Sequence, residues 1–572
     1  MSHVRVTVAS RTAAPLRRSL QAASARGAKV AAIVARYDLA AAACCGAVLA
    51  LALIAGYFHR VGNFGVESDF YGTYAIQAKN LMAGRPYTFR HHPPGYPLLI
   101  SAVSGATGDL FLAGKLLSAF SAALLGWVTY RLVKALFGVR VALVTALLTM
   151  VRLSPYAFLA ATDVVGAAAM LLPVWVLLRR SRWTFSGCFL SGLLAGVAYL
   201  IRANGLFTII GIGLCLLFVN LNRDPSTPPP AAGSLGMSPR SGKQHGPPRP
   251  RGVGLHALRK RLARAGLFAC GVSIVVAPWL MVNWRVNGSP FASTTYLQIG
   301  AHFYGTINDA LGTSLQEASS QFHSLREVVS RDPARMLRIY LKSVLYQYPM
   351  QLAAGLTVAA SLFSGAGLLL LLTRLSKRRG ILLAVYALGY LLLGLAGFQW
   401  RLYFFVFPVL FLGVAYLVCQ RSLRRTIVAL GPFRMTASWL IVAALTVDLG
   451  ARAYREARRT IDSDPRYLVA IARFLRDRSS PQDLVISGKP HLAYLAGLER
   501  TFPMAETAEE FLAAAREAHA RYVVYSDPEA ARWPGLESLR DPAAVPEGLR
   551  LIYQHEAGHT LIYEVEAERG AS

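Results

Sequence analysis

The chain has 572 residues, 54% of them hydrophobic, and a formal net charge of +30. It is too apolar for an ordinary soluble enzyme and too long for one compact core. Its apolar runs of about twenty residues point to a polytopic α-helical membrane protein. The basic residues cluster in short loops between those runs, as the positive-inside rule predicts, which argues against nucleic acid as a partner.

Residues 1–38 form a basic, Ala-rich lead with Arg11, Arg17, Arg18, Arg26, Lys29 and Arg36. This lead is expected to stay cytoplasmic. No clear cleavage site follows the first apolar run, so it reads as an uncleaved helix spanning 39–58. Later spans are predicted near 110–131, 139–156, 163–178, 185–201, 203–220, 265–283, 352–373, 380–397, 402–418 and 435–452. This threading puts Arg131, Lys134 and Arg140 inside, together with Arg179, Arg180, Arg182, Lys377, Arg378, Arg379, Arg421, Arg424 and Arg425. Independent loops agree on the sidedness. About eleven spans, an odd number, leave the C-terminal region outside. The expected location is the bacterial inner membrane.

The predicted membrane domain covers 39–453. It includes a first outer loop at 59–109, a cytoplasmic linker at 222–263 and an outer loop at 284–350. Pro, Gly, Ser and basic residues dominate the linker, which cannot bury a core and reads as disordered. All six cysteines lie in apolar segments and read as small buried hydrophobes. From 454 to 572 the texture changes to a small periplasmic α/β domain. "DLVIS" and "RYVVYS" read as strands, "AEEFLAAAREAHA" as a helix, and "LRLIYQH" with "TLIYEVE" as a terminal hairpin. The stretch "HEAGH" at His555–His559 matches a zinc-protease pattern, but that chemistry needs a helix and these flanks alternate like strands. "DSD" at Asp462–Asp464 is too short to specify a metal site.

In the first outer loop, "GVESDFYGTY" sets Glu67 and Asp69 beside aromatic residues. The following residues through Met82 read as a short helix capped by Ser68 or Asp69. Its apolar face is Tyr71, Tyr74, Ala75, Ala78, Leu81 and Met82, which suits a helix lying in the membrane interface. His91 and His92 precede Pro93 and Pro94, which forbid a regular helix there. Asp69 has two readings, a helix cap or a catalytic carboxylate whose pKa is tuned by partial desolvation. Arg202, Arg285 and Arg401 fall on the outer side against the charge trend, where they suit phosphate. Snorkelling to head groups is the alternative for them and for Lys115.

Several stretches together resemble the GT-C glycosyltransferases, integral-membrane enzymes that include the aminoarabinose and protein-mannosyl transferases. They are Asp69-Phe70 with Tyr74, Ala75, Leu81, Gly84 and Tyr87; Pro93-Pro94-Gly95-Tyr96-Pro97; "LAGKLLSAF"; "AFLAATDVV"; "GVAYLIRANGLF"; "APWLMVNWRVNGSPF"; and "FQWRLYFFVFPVLFLGVAYL". Two features depart from the family pattern. Its paired first-loop acids are here split by Ser68, and His92 stands where aminoarabinose transferases have Lys.

The resemblance implies inverting transfer of a sugar from a polyprenyl-phosphate donor to an envelope glycan, lipid or protein. Asp69 would be the base or acceptor-orienting group, with Glu67 as fallback and Asp163 assisting the acceptor or pairing with an arginine; a simple helix cap is the other reading of Asp163. Arg202, Arg401, Lys115, His92 and Arg285 would serve the donor phosphate. A divalent metal is compatible with this chemistry and is not required by the sequence. A lipid or glycan transporter or flippase is the rival reading, and it predicts charged residues at mid-membrane depth. A non-catalytic scaffold of envelope assembly is a third; it would tolerate Asp69→Asn.

Overall fold

The computed structural model describes residues 13–89, 92–219, 253–305, 318–397, 400–430, 433–480, 482–501, 507–527, 534–556 and 559–566. The chain is a multi-pass helical membrane protein with a small α/β region at its C-terminal end. Helices α1 (Ala13–Phe58), α2 (Ala75–Met82), α3 (Gly95–Thr107), α4 (Leu110–Phe137), α5 (Val139–Leu153), α6 (Thr162–Leu178), α7 (Phe185–Ile201), α8 (Gly205–Phe218) and α9 (Val253–Asn287) come first. Helices Val358–Leu372, Lys377–Leu393, Phe407–Val418 and Ala437–Asp462 complete the bundle. Five apolar helical stretches are long enough to cross a membrane, among them Ala31–Phe58 and Leu258–Asn287.

The hydropathy runs and the helices coincide at eleven places, with instructive differences. The run at 352–373 breaks at Leu356, where the chain turns extended before Thr357 caps the next helix through the Ala360 amide. The run at 402–418 starts as a 3-10 turn over Trp400–Val406, because Pro408 suits only the opening of the α-helix that follows. Helix α9 already begins at Val253, inside the stretch read as linker; residues 220–252 lie outside the described residues.

The first outer loop differs most. Phe70–Tyr74 form a π-turn that runs into α2. Phe70, Tyr71 and Tyr74 are buried in protein, and so is Gln77, which falls off the apolar face. One face of the segment is therefore wedged into the fold, while Ile76 and Met82 on α2 stay exposed.

The last bundle helix is held by a part-buried ion pair. Arg152, at the end of α5, is 1% exposed and sits 3.0 Å from Glu456, while its Nε donates to the Gly355 carbonyl. Arg452 and Tyr156 also engage Glu456.

The C-terminal region folds around a five-stranded sheet in the order β4-β3-β5-β7-β6. The strands are β3 (Leu484–Ile486), β4 (Glu499–Thr501), β5 (Ala520–Tyr525), β6 (Leu549–His555) and β7 (Thr560–Val565), after a small hairpin of β1 (Ile427–Leu430) and β2 (Phe433–Thr436). Strands β4, β3 and β5 are mutually parallel, whereas β5, β7 and β6 alternate in direction. Alternate residues feed two cores. Val485, Tyr522, Val524 and Ile562 pack under helices Tyr467–Arg476 and Pro490–Ala496. Ile486, Val523, Tyr525, Leu561 and Tyr563 face helix Ala508–Glu517 on the other side. The flanks of "HEAGH" are thus strands β6 and β7; Ala557 and Gly558 lie outside the described residues.

Candidate active site

The sequence places Glu67 and Asp69 two residues apart, and the fold gives them opposite surroundings. Glu67 is fully buried. Its Oε2 is 2.7 Å from His59 Nε2 and accepts from the Asn63 amide at 2.9 Å, while Oε1 accepts from the Ala160 amide at 2.7 Å. Both oxygens are occupied. Lys115 lies behind the same corner, where its Nζ donates to the carbonyls of Gly56 and His59, both at 2.8 Å. An α-helix leaves its last carbonyls without partners, so Lys115 closes the end of α1.

Asp69 points into an open recess. Its backbone is already helical, and its side chain makes no cap hydrogen bond, which removes the capping reading. The carboxylate is exposed to water, yet the surrounding protein crowds it. Desolvation pushes its pKa up. Arg401, and then Arg202 and Lys489, pull it down, while Asp163 pushes it further up.

Asp163 occupies the first turn of α6 and is 4% exposed. Its Oδ1 lies 2.9 Å from Arg202 Nη1, and its Oδ2 lies 3.6 Å from Arg401 Nη1. Arg202 also donates to the Thr162 hydroxyl at 2.7 Å, and Arg401 to the Val66 carbonyl at 3.4 Å. One buried carboxylate thus holds two guanidinium groups that come from distant stretches of chain. Two close packings make this possible. A Cβ on Gly95 would fall 2.5 Å from the Leu200 carbonyl, so only glycine lets α3 start against the end of α7, where Arg202 emerges. A Cβ on Gly166 would come within 3.0 Å of the Arg202 side chain lying across α6.

The remaining candidates are placed differently. The His92 ring lies 5.2 Å from that of Tyr74 and 5.6 Å from that of Phe89, at the edge of the recess. Arg285 is exposed in the last turn of α9, and among the described residues no contact joins it to Asp163. The recess also gathers groups not singled out from the sequence. Tyr74 hydrogen-bonds to Thr162 within the field of Asp69 and Arg202. Thr162 directly precedes Asp163 in "AATDVV", so its place in the motif was a usable signal. Lys489 had no such signal, because it arrives from the C-terminal region.

That region docks on the first loop. Lys489 Nζ donates to the Phe64 carbonyl at 3.1 Å, and His491 Nε2 donates to the Asn63 carbonyl at 3.1 Å. Pro490 packs against Gly72, and the Tyr71 ring lies 4.5 Å from that of His491. Asp464 accepts from the amides of Arg60 and Val61 at 2.7 and 2.9 Å. His491 is buried, and burial lowers its pKa to about 4.

Residues 91–235, about a quarter of the chain, match the model of the dolichyl-phosphate-mannose-protein mannosyltransferase family. The match contains Lys115, Asp163 and Arg202. The match shows a likeness to that family over this stretch, and the fold of the whole is one known from solved structures. Solved GT-C structures share its fold. ArnT from Cupriavidus metallidurans bound to undecaprenyl phosphate aligns with a TM-score of 0.56 at 12% identity, over 91% of this chain and 97% of that one. The archaeal oligosaccharyltransferase AglB from Archaeoglobus fulgidus, in complex with an inhibitory peptide and a dolichol-phosphate, aligns at 0.50 and 14% identity, over 91% of this chain and 74% of that one. No curated protein sequence matches the chain.

Proposed function

We propose that this chain is a GT-C enzyme that transfers a sugar, with inversion, from a polyprenyl-phosphate donor to an envelope glycan, lipid or protein on the outer face of a bacterial inner membrane. The observation that carries this reading is the solvent-open Asp69 carboxylate, unengaged by hydrogen bonds, within the field of two arginines that share one buried acid. Inverting transfer needs a base on the acceptor and positive charge at the departing phosphate. In this reading Asp69 takes or orients the acceptor proton. Arg202 and Arg401 then meet the lipid phosphate with guanidinium hydrogens that Asp163 leaves free. Asp163 acts by holding the two arginines in register. Glu67 and Lys115 serve the frame, since every strong group they offer is engaged inside the protein. His92 lines the recess beside Tyr74, and Arg285 is left for head groups or the acceptor.

Other relatives bind related lipids: the solved ArnT holds undecaprenyl phosphate, and the AglB complex holds a dolichol-phosphate. The experiment is transfer from a panel of polyprenyl-phosphate sugars in membranes, comparing the wild type with Asp69→Asn and Arg401→Ala. Loss of transfer in both variants, with normal membrane insertion, is expected. Equal rates in all three proteins would sink the assignment.

A further inference from the structure

The end of the bundle opposite the recess holds a cavity of about 230 Å³. Helix α5 sets the direction. Its last turn carries Arg152 toward the recess end, and its first turn carries Arg140 to the cavity. Arg424, on the short helix Arg421–Arg425, lines the same space. No acid lines it, and neither arginine has a carboxylate partner among the described residues. The Arg424 Nε is buried and has no hydrogen-bond partner. Two guanidinium groups lining one cavity without a counter-charge repel each other, and a bound anion relieves that cost.

The other walls say which anion. Thr436 offers a hydroxyl, whereas Ser438 donates its own proton to the Val418 carbonyl. Val144 and Val442 form a buried apolar floor. Trp439 lines the cavity and is 39% exposed, at the turn where the helix Ala437–Asp462 begins. An indole at the mouth of a membrane helix marks the head-group level. A basic pocket between membrane helices at that level suits a phosphate that carries acyl chains. Because Thr436 makes no side-chain cap, the first amides of that helix add to the same positive field.

We propose that this cavity binds the phosphate of an anionic phospholipid, held by Arg140 and Arg424. It is a second lipid-phosphate site, separated from the recess by the length of the bundle, and it does not depend on how the recess works.

The test offers phosphatidylglycerol, phosphatidylcholine or inorganic phosphate to the full chain after detergent exchange, and counts retained lipid by native mass spectrometry. Wild type should hold phosphatidylglycerol at least fivefold better than phosphatidylcholine. Arg140→Gln and Arg424→Gln should each lose that preference. A charge-matched control, Arg131→Gln at an exposed position outside the cavity, should keep it. Arg140 is exposed, so its variant should fold even if the Arg424 variant does not. Equal retention of the two lipids overturns the proposal, and so does equal loss in Arg140→Gln and the control. Displacement of the lipid by millimolar phosphate would overturn the lipid source.

Discussion

Glu67 and Asp69 are carboxylates two residues apart in the same loop, and their different surroundings make them behave differently. Around Glu67, a carboxylate, an imidazole and two amides consume one another's hydrogen-bonding capacity with no water admitted. Around Asp69, a carboxylate faces water while the nearby arginines are balanced by a third group, Asp163. Burial alone does not mark a site, because the more buried acid is the closed one. What marks it is unused valence: an acid without a bonded partner beside cations with hydrogens to spare.

The largest test of this contrast is Asp69→Asn. Turnover should fall about 10²–10⁴-fold, the usual worth of a positioned base, while the melting temperature holds or rises. Glu67→Ala should do the reverse. It strands the buried His59, the buried Ala160 amide and the part-buried Asn63 amide, and should cost about 3–5 kcal/mol of stability; thermal unfolding in detergent measures it, and the surviving folded fraction should turn over normally. Arg401→Ala should lower turnover about 10²–10³-fold, as for loss of one donor to a developing charge. Arg401→Lys should recover only part of this, because an ammonium cannot reproduce the fork.

Two smaller effects depend on pH. The raised pKa of Asp69 means that the folded protein keeps its proton where the unfolded chain has lost it. Stability should therefore fall as pH rises from the unfolded carboxylate value through the folded one, while activity rises over the same interval. Asp69→Asn should flatten that part of the stability curve. His491 has the opposite sign, with a folded value near 4 against an ordinary value of 6.5. Between these values the unfolded state binds more protons, so this contribution to docking is complete above about 6.5 and fades toward 4. Limited proteolysis of the C-terminal region across that range should show it loosening, and His491→Gln should remove the dependence.

Much of the architecture was legible because its signals are local. Apolar length marks the spans, and a continuous apolar run such as Tyr522-Val523-Val524-Tyr525 marks a strand buried on both faces. The first-loop acids were visible in the sequence, and so were the outer-side charges Arg202 and Arg401, which oppose the charge trend. The division of labour between Glu67 and Asp69 was not. It depends on Ala160, which lies 93 residues from Glu67 along the chain. In the same way, nothing near Lys115 announces that it will close a helix 59 residues upstream. The wedge formed by Phe70–Tyr74 also escaped pattern reading, because an aromatic face looks the same whether lipid or protein covers it.

Asp464 binds two successive amides at the exit of the first span, 404 and 403 residues earlier in the chain. The first outer loop and the C-terminal region therefore form one heritable unit despite lying at opposite ends of the sequence. A chimera that exchanges the C-terminal region alone should misplace the loop that bears Asp69. One that exchanges residues 59–92 along with it should keep its geometry, so specificity grafts between such enzymes need two inserts and not one.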